Sequence, residues 1–174
     1  MDHDGVSMEL DGRPVRVRPI SPADGAALVR FHLGLTRETT RLRFFAVHPE
    51  LSAEEVERFT HVDHTEREGL VVLDGGEIIA VGRFERLPGT EKAEVAFVVA
   101  DAWQSRGVGT RLLKELAARA RAVGVAGFIA DTLEENHRMR HLFRHSGLAA
   151  TSTVETGVVR VAMDLRRLVA PESR

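Results

Sequence analysis

EVAFVVADAWQSRGVGT, residues 94–110, runs from an apolar segment through a glycine-bearing polar turn into the start of an amphipathic one. From Val95 to Ala100 six apolar residues follow one another, four of them β-branched or aromatic, which predicts a strand buried on both faces. Past the turn, Val108, Leu112, Leu116 and Ala120 recur at every fourth position with Arg111, Lys114, Glu115 and Arg119 between them. That period predicts a helix starting near Gly107. A helix N-terminus offers unpaired N–H groups and the positive end of a dipole, which together attract anions. Gly107 and Gly109 would let a pyrophosphate come close to the backbone, and Arg106 adds a guanidinium suited to phosphate oxygens. On their own, two glycines are equally compatible with a plain turn.

Two phosphate loops do not fit. A G-x-x-x-x-G-K-S/T loop needs a lysine where Thr110 stands, and the third glycine of G-x-G-x-x-G is replaced by Leu112. With 174 residues the chain is long enough for one domain with a real core, and 43% hydrophobic and 29% charged residues are the proportions of a globular protein. No apolar run approaches the roughly 20 residues that span a bilayer, and the acidic, unpatterned stretch before Leu10 predicts no signal peptide. A net charge of −2 argues against a nucleic-acid partner. The absence of cysteine excludes disulfides, thiolate metal sites and a cysteine nucleophile, and suits a cytoplasmic location.

Residues 1–12 are expected to form a flexible N-terminal tail, 13–168 the single domain and 169–174 a flexible C-terminal tail. Arg13 to Pro19 alternates as a strand, and Ser21-Pro22-Ala23-Asp24 opens a helix to about Leu35. Thr36 caps a short helix carrying Arg37, Arg41 and Arg43, and Ser52 with Glu55 forms a capping box for a helix ending near His61. Leu70–Leu73 and Glu77–Arg86 flank Asp74-Gly75-Gly76 as a hairpin. Gly124 ends the long helix before a strand from Val125 to Asp131; a helix from Glu135 to Ser146 and two strands around Thr156-Gly157 complete the chain. Strands on both sides of a strand–helix–strand centre predict an α/β fold with a mixed sheet and helices on both faces.

Gln104, Gly107 and Gly109 make up Q-x-x-G-x-G directly after a buried strand. In this the chain resembles the GNAT superfamily of acyl-CoA-dependent N-acyltransferases, whose acetyl-CoA loop reads Q/R-x-x-G-x-G/A at the start of a helix. Asn136, Met139, Phe143 and Gly147-Leu148 are spaced like a second block of that superfamily. The stretches VRVRPISPADGAALVRFHLGLTRETTRLRFF and LSAEEVERFTHVDH resemble the GNAT domains of bacterial protein-lysine acetyltransferases that act on acyl-CoA synthetases. The resemblance implies a seven-stranded, mostly antiparallel sheet splayed between its fourth and fifth strands, with acetyl-CoA entering the gap as cosubstrate. It further implies cofactor contacts from Phe97, Val98 and Val99, from Gln104, Ser105, Arg106, Gly107, Val108, Gly109 and Thr110, and from Asn136.

In the related lysine acetyltransferases a glutamate at the position of Glu94 is the general base; burial beside the apolar strand is expected here, with Glu85 as a second candidate. Without the resemblance, Glu94 is equally a solvated acid at a strand end. A backbone N–H of Val98 or Val99 is expected to receive the oxyanion. Phe143 stands where many members carry a tyrosine that protonates the thiolate, and this chain contains no tyrosine. The expected acceptor is a protein lysine, for instance on an acyl-CoA synthetase; a small-molecule amine or amino acid, or a non-catalytic acyl-CoA-binding regulatory module, are the alternatives. A homodimer is compatible with these features. No metal is expected: His61, Asp63 and His64 follow a helix end, and the His137, His141, His145 stripe is assigned to an exposed basic face.

Overall fold

In the computed structural model, which describes residues 5–168, the central strand and helix stand at the middle of an eight-stranded sheet. The strands are β1 (Val6–Leu10), β2 (Arg13–Pro19), β3 (Arg67–Asp74), β4 (Glu77–Arg86), β5 (Lys92–Val99), β6 (Gly127–Leu133), β7 (Leu148–Glu155) and β8 (Val158–Leu168). Their order is β1-β2-β3-β4-β5-β6-β8-β7, and every neighbouring pair is antiparallel except β5 and β6. The helices are α1 (Gly25–Leu33), α2 (Arg37–Phe44), α3 (Ala53–Thr60), α4 (Val108–Ala122) and α5 (His137–Arg144). Among the described residues no helix is long and apolar enough to cross a membrane.

The eighth strand lies where a loose tail was expected. Val6–Leu10 pairs antiparallel with β2 across Asp11-Gly12, both in the left-handed region at φ 51° and 76°. Positive φ at both central residues is what a tight two-residue hairpin demands. Residues 1–4 and the expected C-terminal tail, 169–174, lie outside the described residues. The helix expected from Ser21 begins instead as a 3-10 turn over Pro22–Asp24, and α1 follows at Gly25. Asp24 turns inward there and takes two hydrogen bonds from Arg18, each 2.8 Å, and one from the Ser21 N–H at 2.8 Å.

Helices cover both faces of the sheet. Leu70 and Val72 alternate with Val71 along β3, so α4 packs Leu112 and Leu116 over one face while α1 packs Leu28 and Phe31 over the other. The site depends on one departure from regular pairing. β5 and β6 are in register only over Lys92–Gly127, Ala93–Phe128 and Glu94–Ile129, and beyond Glu94 the two strands part.

Candidate active site

The parting of β5 from β6 opens a cleft of about 800 Å³, floored by Glu94 to Val99 and walled by α2, the 103–110 segment, β6 and α5. Which backbone groups face it follows from the ladder to β4. The Leu87 N–H donates to Lys92 O at 2.9 Å and the Ala100 N–H to Ile79 O at 2.8 Å. Antiparallel pairing alternates every second residue. With Glu85 opposite Glu94 and Val81 opposite Val98, Glu94, Ala96 and Val98 therefore bond to β4, while Phe97 and Val99 turn their N–H and C=O toward the opening. Val98, expected to offer main-chain groups to the ligand, spends them on Val81. Of the Val98 and Val99 amides expected to receive an oxyanion, that of Val99 faces the opening, as does that of Phe97.

The turn after β5 is held by Gln104. Its amide nitrogen donates to Val99 O at 3.1 Å and to Thr39 Oγ1 at 3.2 Å, while its carbonyl oxygen accepts from Arg138 of α5. Gln104 is thus a brace between β5, α2 and α5. Asp101 strengthens the joint, accepting from the Thr36 and Thr39 hydroxyls at 2.7 Å each. Arg106, expected to face phosphate, instead lies 5.3 Å from the Trp103 ring centroid and 3.7 Å from Asp11, and is not part of the cleft wall. Arg138 stands in the wall in its place. Thirty-four residues separate it from Gln104, so no local pattern could have paired them.

Gly107 is the N-cap of α4 at φ 85°, a conformation that costs an L side chain about 1–2 kcal/mol. The first bond within the helix is from the Arg111 N–H to Gly107 O, 3.1 Å, which leaves the donors of Val108, Gly109 and Thr110 without intrahelical partners. Val108 itself is a core residue, so only its main chain can serve the site. A Cβ on Gly109 would sit 2.6 Å from Leu142 Cδ1, so a side chain here would have to push the end of Leu142, on α5, aside. Ser105, left-handed at φ 61°, and Thr110 complete the rim.

Asn136 caps α5, its side-chain oxygen accepting from the Met139 N–H at 3.2 Å, and also lines the cleft. Phe143 is buried against Phe97, ring centroids 5.9 Å apart, and presents a hydrocarbon there. His137 and His141, assigned to an exposed basic face, border the cleft; His141 stacks on His145 at 4.1 Å. His61, Asp63 and His64 serve the chain locally. The Asp63 carboxylate accepts from the N–H groups of Thr65, Glu66 and Arg67 at 2.9–3.0 Å, His61 Nδ1 lies 3.0 Å from Glu57 O, and His64 Nδ1 lies 2.8 Å from Glu68. Among the described residues no three His, Asp or Glu side chains converge as a metal site would need.

Glu94 stands at the fork of the two strands, lining the cleft, and is exposed where burial was expected. Glu85, its cross-strand neighbour, is engaged by Arg58 through both oxygens at 2.8 and 2.6 Å, which removes it as a free second base. Asp131 is likewise held by Arg160 through two 2.8 Å bonds. Two half-buried guanidiniums lie near Glu94. Burial pushes Arg83 down to about 9, helped by the charges of Arg43 and Arg58 and opposed by Glu85 and Glu94. Burial pushes Arg43 down to about 10, opposed by Glu94. Both remain cationic at neutral pH.

The Acetyltransferase (GNAT) family model matches residues 33–148. The chain is 33% identical over 152 residues to the acetyltransferase Pat of Mycolicibacterium smegmatis, a match covering 86% of this chain and 45% of that protein. It therefore spans about half the length of that curated relative. The crystal structure of the GNAT domain of S. lividans PAT superimposes with a TM-score of 0.87 at 41% identity, over 92% of this chain and 96% of that one. A cAMP-binding acyltransferase from Mycobacterium smegmatis gives a TM-score of 0.66 at 29% identity, over 94% of this chain and 48% of that one. The splayed sheet, the Q-x-x-G-x-G turn at a helix start and these matches agree: the chain belongs to the GNAT acetyltransferase family.

Proposed function

We propose that this chain transfers the acetyl group of acetyl-CoA directly to the side-chain amine of a protein lysine, with Glu94 as the general base. The observation that carries the proposal is the fork beyond Glu94, where a strand edge with the N–H groups of Phe97 and Val99 turned outward and a helix N-terminus open into one cleft with a carboxylate at its apex. The N–H groups of Val108, Gly109 and Thr110 suit the diphosphate of coenzyme A, with Arg138 as a cation of the same wall. The main chain of Phe97 and Val99 suits the amide-bearing pantetheine arm, in the manner of an added strand.

The chemistry asks for three things. A lysine amine, with an ordinary pKa near 10.4, must lose a proton before it attacks, and Glu94 lines the cleft where it can accept one, directly or through water. Negative charge growing on the thioester oxygen needs a fixed donor, supplied by the N–H of Val99 or Phe97. The departing thiolate, with an ordinary pKa near 8.5, takes its proton from solvent, so Phe143 in place of a tyrosine is tolerable. The similarity to Pat, an acetyltransferase, and to the GNAT domain of S. lividans PAT supports acetyl transfer, and the resemblance of 15–45 and 51–64 to protein-lysine acetyltransferases favours a protein acceptor. The cytoplasm is the proposed setting, in keeping with a chain that has no cysteine.

Acetyl-CoA consumption with a panel of candidate acceptor proteins, compared between wild type and Glu94→Gln, tests this. The variant should bind acetyl-CoA normally and lose at least about a hundredfold in rate. An unchanged rate removes Glu94 as the base. Binding without turnover by either protein supports a regulatory module, and turnover of small amines alone supports a small-molecule acetyltransferase.

A further inference from the structure

Near the base, two guanidiniums are left without a carboxylate. Arg43, at the end of α2, lines both the main cleft and a smaller recess of about 40 Å³ between the helices of the α1 face and the sheet. Arg83, on β4, lines the same recess. It pairs across the strands with Ala96, while Glu85 pairs with Glu94, so Arg83 lies diagonal to Glu94 on one face of the sheet. Each guanidinium rests on an aromatic ring: Arg83 Cζ is 3.7 Å from the Phe59 centroid and Arg43 Cζ 4.7 Å from that of Phe44. Among the described residues neither makes an ion pair or hydrogen bond, whereas Glu85 and Asp131 nearby are both taken by other arginines.

Both residues are half-buried, their guanidinium nitrogens still reached by solvent, and a guanidinium whose planar donors are free is shaped to receive a carboxylate. The local charge count selects what can approach. With the Arg58–Glu85 and Arg160–Asp131 pairs neutral, Glu94 contributes one negative charge against two positive ones from Arg43 and Arg83. A bare ammonium is repelled on balance, but an acceptor that brings its own carboxylate is not.

We propose that Arg43 and Arg83 form an anion subsite that binds a carboxylate carried by the acceptor close to the amine being acetylated. The subsite is a specificity determinant and rests on the acetyl-transfer function proposed above. Two sources supply such a group: the acidic side chain of a residue beside the target lysine in a protein, or the α-carboxylate of a free amino acid.

Steady-state kinetics at saturating acetyl-CoA tests the subsite with two matched pairs of acceptors. One pair is a lysine peptide with Glu or Ala beside the lysine; the other is free lysine against cadaverine, the same diamine without a carboxylate. Wild type should favour the carboxylate-bearing member of at least one pair about tenfold or more in kcat/KM, and which pair responds identifies the source. Arg83→Gln and Arg43→Gln should each erase that preference while leaving acetyl-CoA affinity unchanged, with Arg83→Lys intermediate. Equal rates within both pairs, or a preference that survives both substitutions, overturns the subsite. If no amine is acetylated, titration calorimetry with glutarate still decides. Binding weakened about tenfold in the variants upholds the subsite while the acetyl-transfer function fails; no binding, or equal binding, overturns the subsite too.

Discussion

Gln104→Ala separates a structural brace from a cofactor ligand. The wild-type amide makes three contacts: to Val99 O at 3.1 Å, to Thr39 Oγ1 at 3.2 Å and from the Arg138 guanidinium. Neutral bonds contribute about 1 kcal/mol net each, and the charged one more, though its exposure discounts it. Val99 O faces an open cleft and recovers part of its loss from water. The variant should therefore lose about 2 kcal/mol, which for a chain of this length lowers Tm by roughly 4–8 °C. Thermal unfolding gives this number, and calorimetric titration of acetyl-CoA gives the second half of the test. Affinity should fall by less than about tenfold, because the main-chain donors at 108–110 remain in place. An unchanged Tm together with a hundredfold or greater loss of acetyl-CoA affinity would refute the reasoning and make Gln104 a direct ligand.

Gly107→Ala places a side chain at φ 85° with nothing within 4 Å, so its cost is conformational, about 1–2 kcal/mol in a denaturant titration, and Gly107→Asn should cost less. Gly109→Ala drives a Cβ to within 2.6 Å of Leu142 Cδ1, the movable end of a half-buried side chain, and should destabilise by no more than about 1 kcal/mol, while pairing it with Leu142→Ala should cost less than the sum of the two changes in a double-mutant cycle. Asp24 gives a pH signature. Its desolvation, which alone would raise the carboxyl, is outweighed by hydrogen bonds from Arg18 and the Ser21 N–H and by the Arg18 charge, so the group is held below the usual range. A depressed carboxyl contributes stability above its unfolded value near 3.9 and loses it as pH falls through the folded one. Asp24→Asn should cost about 2 kcal/mol at pH 7, and its Tm should converge on that of wild type below about pH 4; a constant gap across that range would contradict the account.

Local signals carried much of the fold. Thr36 and Ser52 cap their helices as expected, accepting from the Thr39 N–H at 3.2 Å and the Glu55 N–H at 3.1 Å, because a cap needs only residues three apart. The strand through 95–99 and the helix after Gly107 follow from periodicity in the same way, but the strand is not buried on both faces: Val95 and Phe97 are buried, while Ala96, Val98 and Val99 are half-buried because the run floors an open cleft. Val6-Ser7-Met8-Glu9-Leu10 before Asp11-Gly12 was also a hairpin signal, but a short half-exposed edge strand has too little hydrophobic contrast to stand out from a polar terminus. Other features depend on contacts that composition and spacing do not encode. Whether Val98 or Val99 faces the cleft is set by the register against β4, and an apolar run looks the same in either register. The brace from Arg138 to Gln104, the turn of Arg106 onto Trp103 and the lone positions of Arg43 and Arg83 arise only when α2, α5 and the sheet meet.

The central claim, that the free edge of β5 and the start of α4 hold acetyl-CoA, makes a residue-by-residue demand on amide hydrogen exchange followed by NMR. In the free protein Ala96 and Val98, bonded to β4, should exchange slowly, and Phe97 and Val99 quickly. Acetyl-CoA should slow Phe97, Val99 and the Val108–Thr110 amides while leaving Ala96 and Val98 as they were. Protection that rises evenly along β5, or that leaves Phe97, Val99 and the 108–110 amides unchanged, would contradict it.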